Sequence, residues 1–180
     1  MKPEFTELQT GRLIIRPFRR SDLTSRYISW LNDPETSRYS ELRHTLQTKE
    51  TCTDYFDRMK RAGNWFLAII RKDGKPAHIG NLSVEFERSN QIADMAIVLG
   101  EKTAWGCGYG REAWKAVLDH LLQSGHAYKV RAGTMAENKT MIGVALASGM
   151  SQEAVQRGEY LLNGKRVDRL RFASFARDQH

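Results

Sequence analysis

Cysteine is scarce in this 180-residue chain: Cys52 and Cys107 are the only two, with no CxxC spacing and no flanking histidine pattern. That excludes a structural zinc site and a disulfide framework and leaves two free thiols. Long apolar runs are missing as well; none approaches the roughly 18 residues that a membrane span needs, so no membrane partner is expected. The opening Met1-Lys2-Pro3-Glu4-Phe5 has no apolar stretch followed by small residues, no secretory signal is read there, and the expected address is cytoplasmic. Acidic charge is the minority sign, 21 Asp and Glu against 28 Lys and Arg, for a net charge of +7. The basic residues are nonetheless dispersed, with nothing beyond short pairs such as Arg19-Arg20 and no interleaved aromatic motif, so a nucleic-acid partner is not expected. The charge reads as a solvated surface with one local anion site. No repeat, linker or low-complexity tract divides the chain, and a single domain over residues 1–180 is expected.

What is present is a regular succession of short apolar patterns. Arg12 to Phe18 (RLIIRPF) reads as a strand. Ser21 and Asp22 then offer a cap for a helix carrying Leu23, Tyr27, Trp30 and Leu31, which Asn32-Asp33-Pro34 stops. Thr48 caps a second helix through Tyr55, Phe56 and Met59 to Gly63. Trp65 to Ile70, Ile79 to Phe86 and Ile92 to Leu99 read as three antiparallel strands joined by turns at Lys72–Lys75 and Ser89-Asn90. From Arg111, Ala113, Trp114, Val117, Leu118, Leu121 and Leu122 recur at helical spacing up to Gly125. A strand at Tyr128–Ala132, a helix from Asn138 to Ser148 ended by Gly149, and a hairpin around Asn163-Gly164 complete the order βααβββαβαββ. That order implies an α/β arrangement: one mixed, mostly antiparallel sheet with helices on both faces.

The segment Trp105-Gly106-Cys107-Gly108-Tyr109-Gly110-Arg111 falls between a strand and the start of the strongest helix. Glycines there let several N–H groups face one concave side, and the helix start adds unpaired donors, which suits a pyrophosphate. No Lys-Ser or Lys-Thr follows, so it is not a P-loop, and the third glycine comes one residue early for a dinucleotide fingerprint. A tight structural connection explains the same glycines equally well on spacing alone.

The run W-G-C-G-Y-G-R-E-A at Trp105 to Ala113 resembles the pyrophosphate-binding motif of the GNAT acetyltransferases, in the variant opened by Trp. RLIIRPFRRSDL at Arg12 to Leu23, WLNDPE at Trp30 to Glu35, HIGNLSV at His78 to Val84, ADMAIVLGEK at Ala93 to Lys102 and AENKTMIGVALASGM at Ala136 to Met150 follow the family's pattern in order. The likeness is to the branch of the ribosomal-protein alanine N-acetyltransferases and related amino-sugar and small-amine acetyltransferases. It implies a GNAT fold with the sheet splayed at the cofactor site, acetyl-CoA as acetyl donor, no metal, and direct transfer to a primary amine. Dimers are common among such relatives, so the resemblance admits a homodimer.

By this resemblance, the backbone of Gly106, Cys107, Gly108, Tyr109, Gly110 and Arg111 would cradle the pyrophosphate. Ile97, Val98 and Leu99 would splay from the strand at Lys129–Ala132 and hydrogen-bond the pantetheine arm, with amides near Val98 polarising the thioester. Asn138 would contact the cofactor, although a plain N-cap fits that residue type too. Attack needs a neutral amine, hence a base. Asp94 holds the strand position where relatives often carry Glu, and Glu85 is the second candidate; a solvated carboxylate or an ion pair is the plain alternative for both. The sequence departs from the family where the leaving thiolate would be protonated: Met141 and Ala145 stand where relatives place Ser or Tyr, leaving Tyr109, Thr140 or water. Met150 in place of the usual Phe is a packing swap. Cys107 is not read as a nucleophile, and His78, His120 and His126 have no metal-ligand spacing.

The acceptor region in this branch comprises Ser25–Arg61 and the terminal hairpin near Tyr160–Arg166, where Trp30, Asn32, Arg38, Tyr39 and Arg43 are the candidate pocket residues. Two arginines suit an anionic acceptor, and WLNDPE resembles enzymes acting on 4-amino sugar nucleotides. A small-molecule amine is therefore the first reading and N-terminal acetylation of a ribosomal protein the second. A catalytically degenerate CoA- or RNA-binding domain is a third, of another class.

Overall fold

A computed structural model of the chain describes residues 4–176; Met1, Lys2 and Pro3 of the N-terminal reading lie outside the described residues. Its elements are β1 (Leu8–Gln9), β2 (Leu13–Pro17), α1 (Ser25–Asn32), α2 (Lys49–Ala62), β3 (Trp65–Arg71), β4 (Ala77–Glu87), β5 (Ile92–Leu99), α3 (Tyr109–Gln123), β6 (Lys129–Met135), α4 (Lys139–Ala147), β7 (Ser151–Leu162) and β8 (Lys165–Phe175). The eight strands form one sheet in the order β1-β2-β3-β4-β5-β6-β8-β7, antiparallel throughout except for the β5–β6 pair. The predicted succession is recovered, with the two-residue β1 as an addition too short to carry a sequence signal.

Strand periodicity explains how the sheet acquires two different faces. Leu13, Ile15, Leu67 and Ile69 join Trp114, Val117, Leu118 and Leu121 of α3 in the larger core, while Ile14, Phe66, Ala68 and Ile70 pack with Tyr27, Trp30 and Leu31 of α1 and Cys52 and Phe56 of α2. One face therefore lies under α3 and α4, the other under α1 and α2. The hairpin signal at Asn163-Gly164 is realised with both residues at positive φ, 49° and 77°, joining β7 to β8.

One helix start is corrected. Ser21 and Asp22 do not cap α1; they belong to a 3-10 turn over Arg20–Asp22, and the N-cap is Thr24, whose side chain accepts from the Tyr27 amide. Asp22 is committed elsewhere. It accepts two hydrogen bonds from the Arg16 guanidinium, at 2.7 and 2.8 Å, and one from the Arg19 amide at 2.8 Å. Burial pushes its pKa up, but these bonds outweigh burial and leave it below the usual value.

His78 lies beside this ion pair in the α1/α2 core, stacked on Tyr27 and edge-on to Trp30, with Nε2 hydrogen-bonded to the Gly80 carbonyl at 3.0 Å. Burial is the largest influence and holds its pKa below the usual 6.5. The unfolded chain therefore takes up this proton first, so the stability tied to neutral His78 is intact above about pH 6.5 and declines as the pH falls below it. Asp22 adds a second loss only below its usual 3.8. We expect the melting temperature to fall between pH 7.5 and pH 5, and His78→Phe, which keeps the ring contacts, to reduce that fall. An equal fall in the variant would assign the pH dependence to other groups.

Candidate active site

The one parallel pair among the described strands is also the one that comes apart. β5 and β6 are in register at Ile92–Lys129, Ala93–Val130 and Asp94–Arg131, and there the pairing stops, although β5 continues to Leu99 and β6 to Met135. Hydrogen-bonding direction alternates along an antiparallel ladder. The Gly100 amide donates across to the Ile79 carbonyl at 3.0 Å, and Asn81 is paired with Val98, so the backbone of Val98 faces β4 while that of Ile97 and Leu99 faces the gap. The amide of Val98 is thus not the one turned to the splay, a correction to the expectation for this residue. The Leu99 carbonyl is already engaged by the Trp105 indole Nε1–H at 2.7 Å, which ties the glycine loop to the end of β5.

Beyond that tether, Gly106 and Gly108 take left-handed conformations, φ 72° and 83°, and α3 begins at Tyr109, two residues earlier than its apolar pattern indicates. Gly108 is the N-cap and provides no side-chain cap, so the first amides of a 15-residue helix keep no side-chain acceptor there. A side chain at Gly106 or Gly110 would meet nothing within 4 Å. The loop is held from behind: Arg12 donates to the Cys107 carbonyl at 2.9 Å and pairs with Glu112, which also accepts from Thr10 at 2.6 Å. Cys107 is exposed, its Sγ 3.5 Å from the Trp105 carbonyl.

Asn138 is the N-cap of α4: its Oδ1 accepts from the Met141 amide at 3.1 Å and its Nδ2 donates to Thr134 at 3.0 Å. Tyr109 is removed as a proton donor at the gap, because its hydroxyl donates to Asp73 in the β3–β4 turn at 2.7 Å; that bond, with burial, raises its pKa. Of the other residues weighed on α4, Thr140 is exposed, Met141 half-buried and Ala145 buried. Met150 packs in the main core.

On the α1/α2 face, next to the gap, Ser83, Glu85, Glu87, Asp94, Ala96, Arg131 and Arg169 line a hollow of ≈ 390 Å³. Asp94 and Glu85 sit directly opposite each other on β5 and β4. Asp94 is ion-paired: Arg131 Nε reaches its Oδ2 at 2.8 Å and Arg171 Nη2 reaches the same oxygen at 3.6 Å. Arg131 also meets Glu87 at 3.4 Å, and Glu85 is 4.0 Å from Arg58.

A larger cleft, ≈ 650 Å³, opens between the segment after α1 and the β7–β8 turn, and its walls include Asn32, Arg38, Arg43, Leu161 and Gly164. The expected acceptor residues divide here. Asn32 and Arg38 are on its wall. Asn32 spends its amide on the Gln47 backbone, donating at 2.8 Å and accepting at 2.8 Å. Arg43 acts as a strut, donating to the Ser40 carbonyl at 2.8 Å and to the Leu161 carbonyl at 3.0 Å. Tyr39 packs behind the cleft on Met135, Leu162 and Val167. Trp30, expected at the pocket, is core: it is 7% exposed and its ring lies against Gly100, where an added Cβ would come within 2.1 Å. The Asn-Asp-Pro-Glu that follows it is pinned to the loop after β5 by Lys102, which reaches Asp33 at 3.1 Å and Glu35 at 2.7 Å. Sequence reasoning did not single out Arg131, Arg169 and Arg171, although the period-2 placement of Arg169 and Arg171 with Val167 on β8 is a readable sign that they share a face.

The site thus joins a splayed parallel pair to an uncapped, glycine-rich helix start. The sequence profile of the acetyltransferase (GNAT) domain matches residues 12–151. The chain belongs to the GNAT acetyltransferase family. As a GNAT domain it is an N-acetyltransferase, and acetyltransferases of this family use acetyl-CoA. Solved GNAT structures share its fold at low identity. An acetyltransferase from Bacillus anthracis superposes with a TM-score of 0.80 at 17% identity, covering 95% of this chain and 99% of that one. The ribosomal L7/L12 alpha-N-protein acetyltransferase RimL, in complex with CoA, gives 0.81 at 16% identity over 92% and 95%. The spermidine N-acetyltransferase of Vibrio cholerae, in complex with CoA and spermine, gives 0.80 at 17% over 93% and 97%. No curated protein sequence matches significantly. Among the described residues no helix is long and apolar enough to cross a membrane.

Proposed function

We propose that this GNAT domain moves the acetyl group of acetyl-CoA to the primary amine of a small molecule, with an amino-sugar nucleotide as the type of acceptor and the cytoplasm as the setting. The observation that carries the reading is the coincidence of the β5–β6 gap with the uncapped start of α3. Backbone groups of Ile97 and Leu99 face the gap, α3 starts without a side-chain cap, and the amides from Gly106 to Arg111 would form an open, electropositive cradle there. These residues fit the two ends of CoA: a pantetheine arm taken up as a pseudo-strand, and a pyrophosphate on the helix start.

The thioester supplies the acetyl group when it is bound. The amide of Leu99 or Ile97 would donate to the carbonyl oxygen as that oxygen gains charge. The acceptor nitrogen must shed a proton, because an ammonium with an ordinary amine pKa has no lone pair at neutral pH. Asp94 would take that proton through a water in the adjoining hollow, and Glu85, opposite it, is the second candidate. Arg131 and Arg171 would hold the Asp94 carboxylate in place. Proton return to the departing thiolate would come from solvent, since a thiol of ordinary pKa near 8.5 leaves readily with little help.

The small-molecule reading is favoured by the acceptor cleft itself, whose two walls, the segment after α1 and the end of β7, are tied together by the Arg43–Leu161 bond. A panel of amino-sugar nucleotides, polyamines and peptides with free N-termini, assayed for CoA thiol release, tests it. Turnover confined to small amines supports the reading. Turnover confined to peptides would replace it with N-terminal acetylation, and CoA binding with no release on any class would leave a binding domain.

A further inference from the structure

Charge on the floor beside Asp94 does not balance. Asp94 is matched by Arg131 and Arg171, Glu87 by Arg131 and Glu85 by Arg58, each within 4.0 Å. Arg169 lines the same hollow. Among the described residues its side chain has no ion pair or hydrogen bond, and its Nε is buried without a partner. It is held in place by shape. The Nε–Nη2 edge of the guanidinium packs against Gly133 of β6, where an added Cβ would stand 2.7 Å from Nε, 3.0 Å from Nη2 and 3.2 Å from Cζ, and the Tyr160 ring is 5.8 Å from Cζ. A buried, unsatisfied guanidinium donor costs free energy, because it loses water and gains nothing, and a cation kept in a site at that cost calls for an explanation. Here the sheet has a glycine where any side chain would displace it.

From this surplus cation we infer that Arg169 is a specificity-determining residue, and that the acceptor is an amine which also carries an anionic group, a carboxylate or a phosphoryl, that Arg169 binds. This rests on the acetyl-transfer reading above and narrows its substrate. The geometry also limits how far apart the two groups of the acceptor lie. Arg169 is two residues along β8 from Arg171, whose guanidinium touches Asp94, a step of about 7 Å, and the Arg169 side chain leans back along that step toward Gly133. An amine placed at Asp94 and an anion about 7 Å away or less describe a compact acceptor with both groups on one small scaffold. A guanidinium fork binds such oxyanions through two parallel N–H groups, which lysine cannot copy. Polyamines, with cations only, fit this floor poorly.

The test uses matched acceptors that differ in the anion alone: an amino acid against its methyl ester, and a hexosamine against its phosphate, with spermidine as the cationic control. Initial rates of CoA release should favour the anion-bearing member. Arg169→Gln should raise KM for that member at least tenfold, leave kcat and the affinity for CoA within twofold, and leave the uncharged member unaffected; Arg169→Lys should recover part of the loss. Gly133→Ala keeps the charge and displaces the guanidinium, and should reproduce the selective loss even if Arg169→Gln folds poorly. A carboxylate-only or a phosphate-only preference tells the two anions apart. A best acceptor without an anion, or equal losses for both members of each pair, would overturn the inference and leave acetyl transfer standing. Should no amine turn over, inorganic phosphate added to the CoA-saturated protein still decides: a rise in melting temperature in the wild type that Arg169→Gln removes supports the anion site, and the same rise in both rejects it.

Discussion

Gly110→Asp should abolish measurable acetyl-CoA binding in a protein that remains folded. Gly110 is the second residue of α3, and a Cβ added there meets nothing within 4 Å, so the substitution introduces no clash. A carboxylate in the first turn even favours the helix, by about 0.3–1 kcal/mol, through the partial positive charge at its start. The same carboxylate points back toward the N-terminus, as helical side chains do, into the space where a pyrophosphate would sit. It repels that anion and occupies its donors. We expect the affinity to drop by at least about a hundredfold, roughly 2.7 kcal/mol, with an unchanged or slightly raised melting temperature. Calorimetry for binding and thermal denaturation for stability separate the two. Unaltered binding would move the phosphate site away from the glycine loop.

Asp94→Asn carries the second large effect. Loss of a general base reduces turnover by about 10²–10⁴-fold, and here kcat should fall in that range while the affinity for acetyl-CoA stays the same, because Asp94 is on the acceptor side of the gap. Stability should decline by only about 1 kcal/mol, since the ion pairs of Asp94 with Arg131 and Arg171 are partly solvent-screened, its side chain being 34% exposed. Full activity in the variant would reduce Asp94 to a structural ion pair and pass the role to Glu85, whose Gln variant would then be slow. Measuring kcat with the best acceptor under saturating acetyl-CoA decides between them.

Local pattern made most of the fold legible. Alternation in β2 and β3 divides their residues between two cores, Thr48 and Gly63 bracket α2, and Asn163-Gly164 builds the last turn, each through interactions a few residues apart. The sequence places the start of α1 two to three residues early because Asp22 has the chemistry of a cap, and only the fold brings the Arg16 guanidinium to it. The glycine loop was legible for the same local reason, and the register at which β5 leaves β6 was not. Which amides face the gap depends on the parity of the β4–β5 ladder, and that parity turns Val98 inward and Ile97 and Leu99 outward. Trp30 and Arg43 illustrate the limit for acceptor residues: an aromatic and an arginine near a pocket look alike in sequence whether they line it or support it. Arg169 carries no sequence signal of its own because its meaning lies in a missing partner. The acids that satisfy its neighbours come from β4 and β5, while Gly133 comes from β6.

Acetyl-CoA entering the β5–β6 gap with its pyrophosphate on α3 underlies every step of the proposed chemistry, and a calorimetric titration of the purified protein with acetyl-CoA tests it most directly. Saturable binding is predicted at one site per chain, competed by CoA and lost in Gly110→Asp. No heat of binding up to millimolar acetyl-CoA, from protein that melts cooperatively, would contradict it.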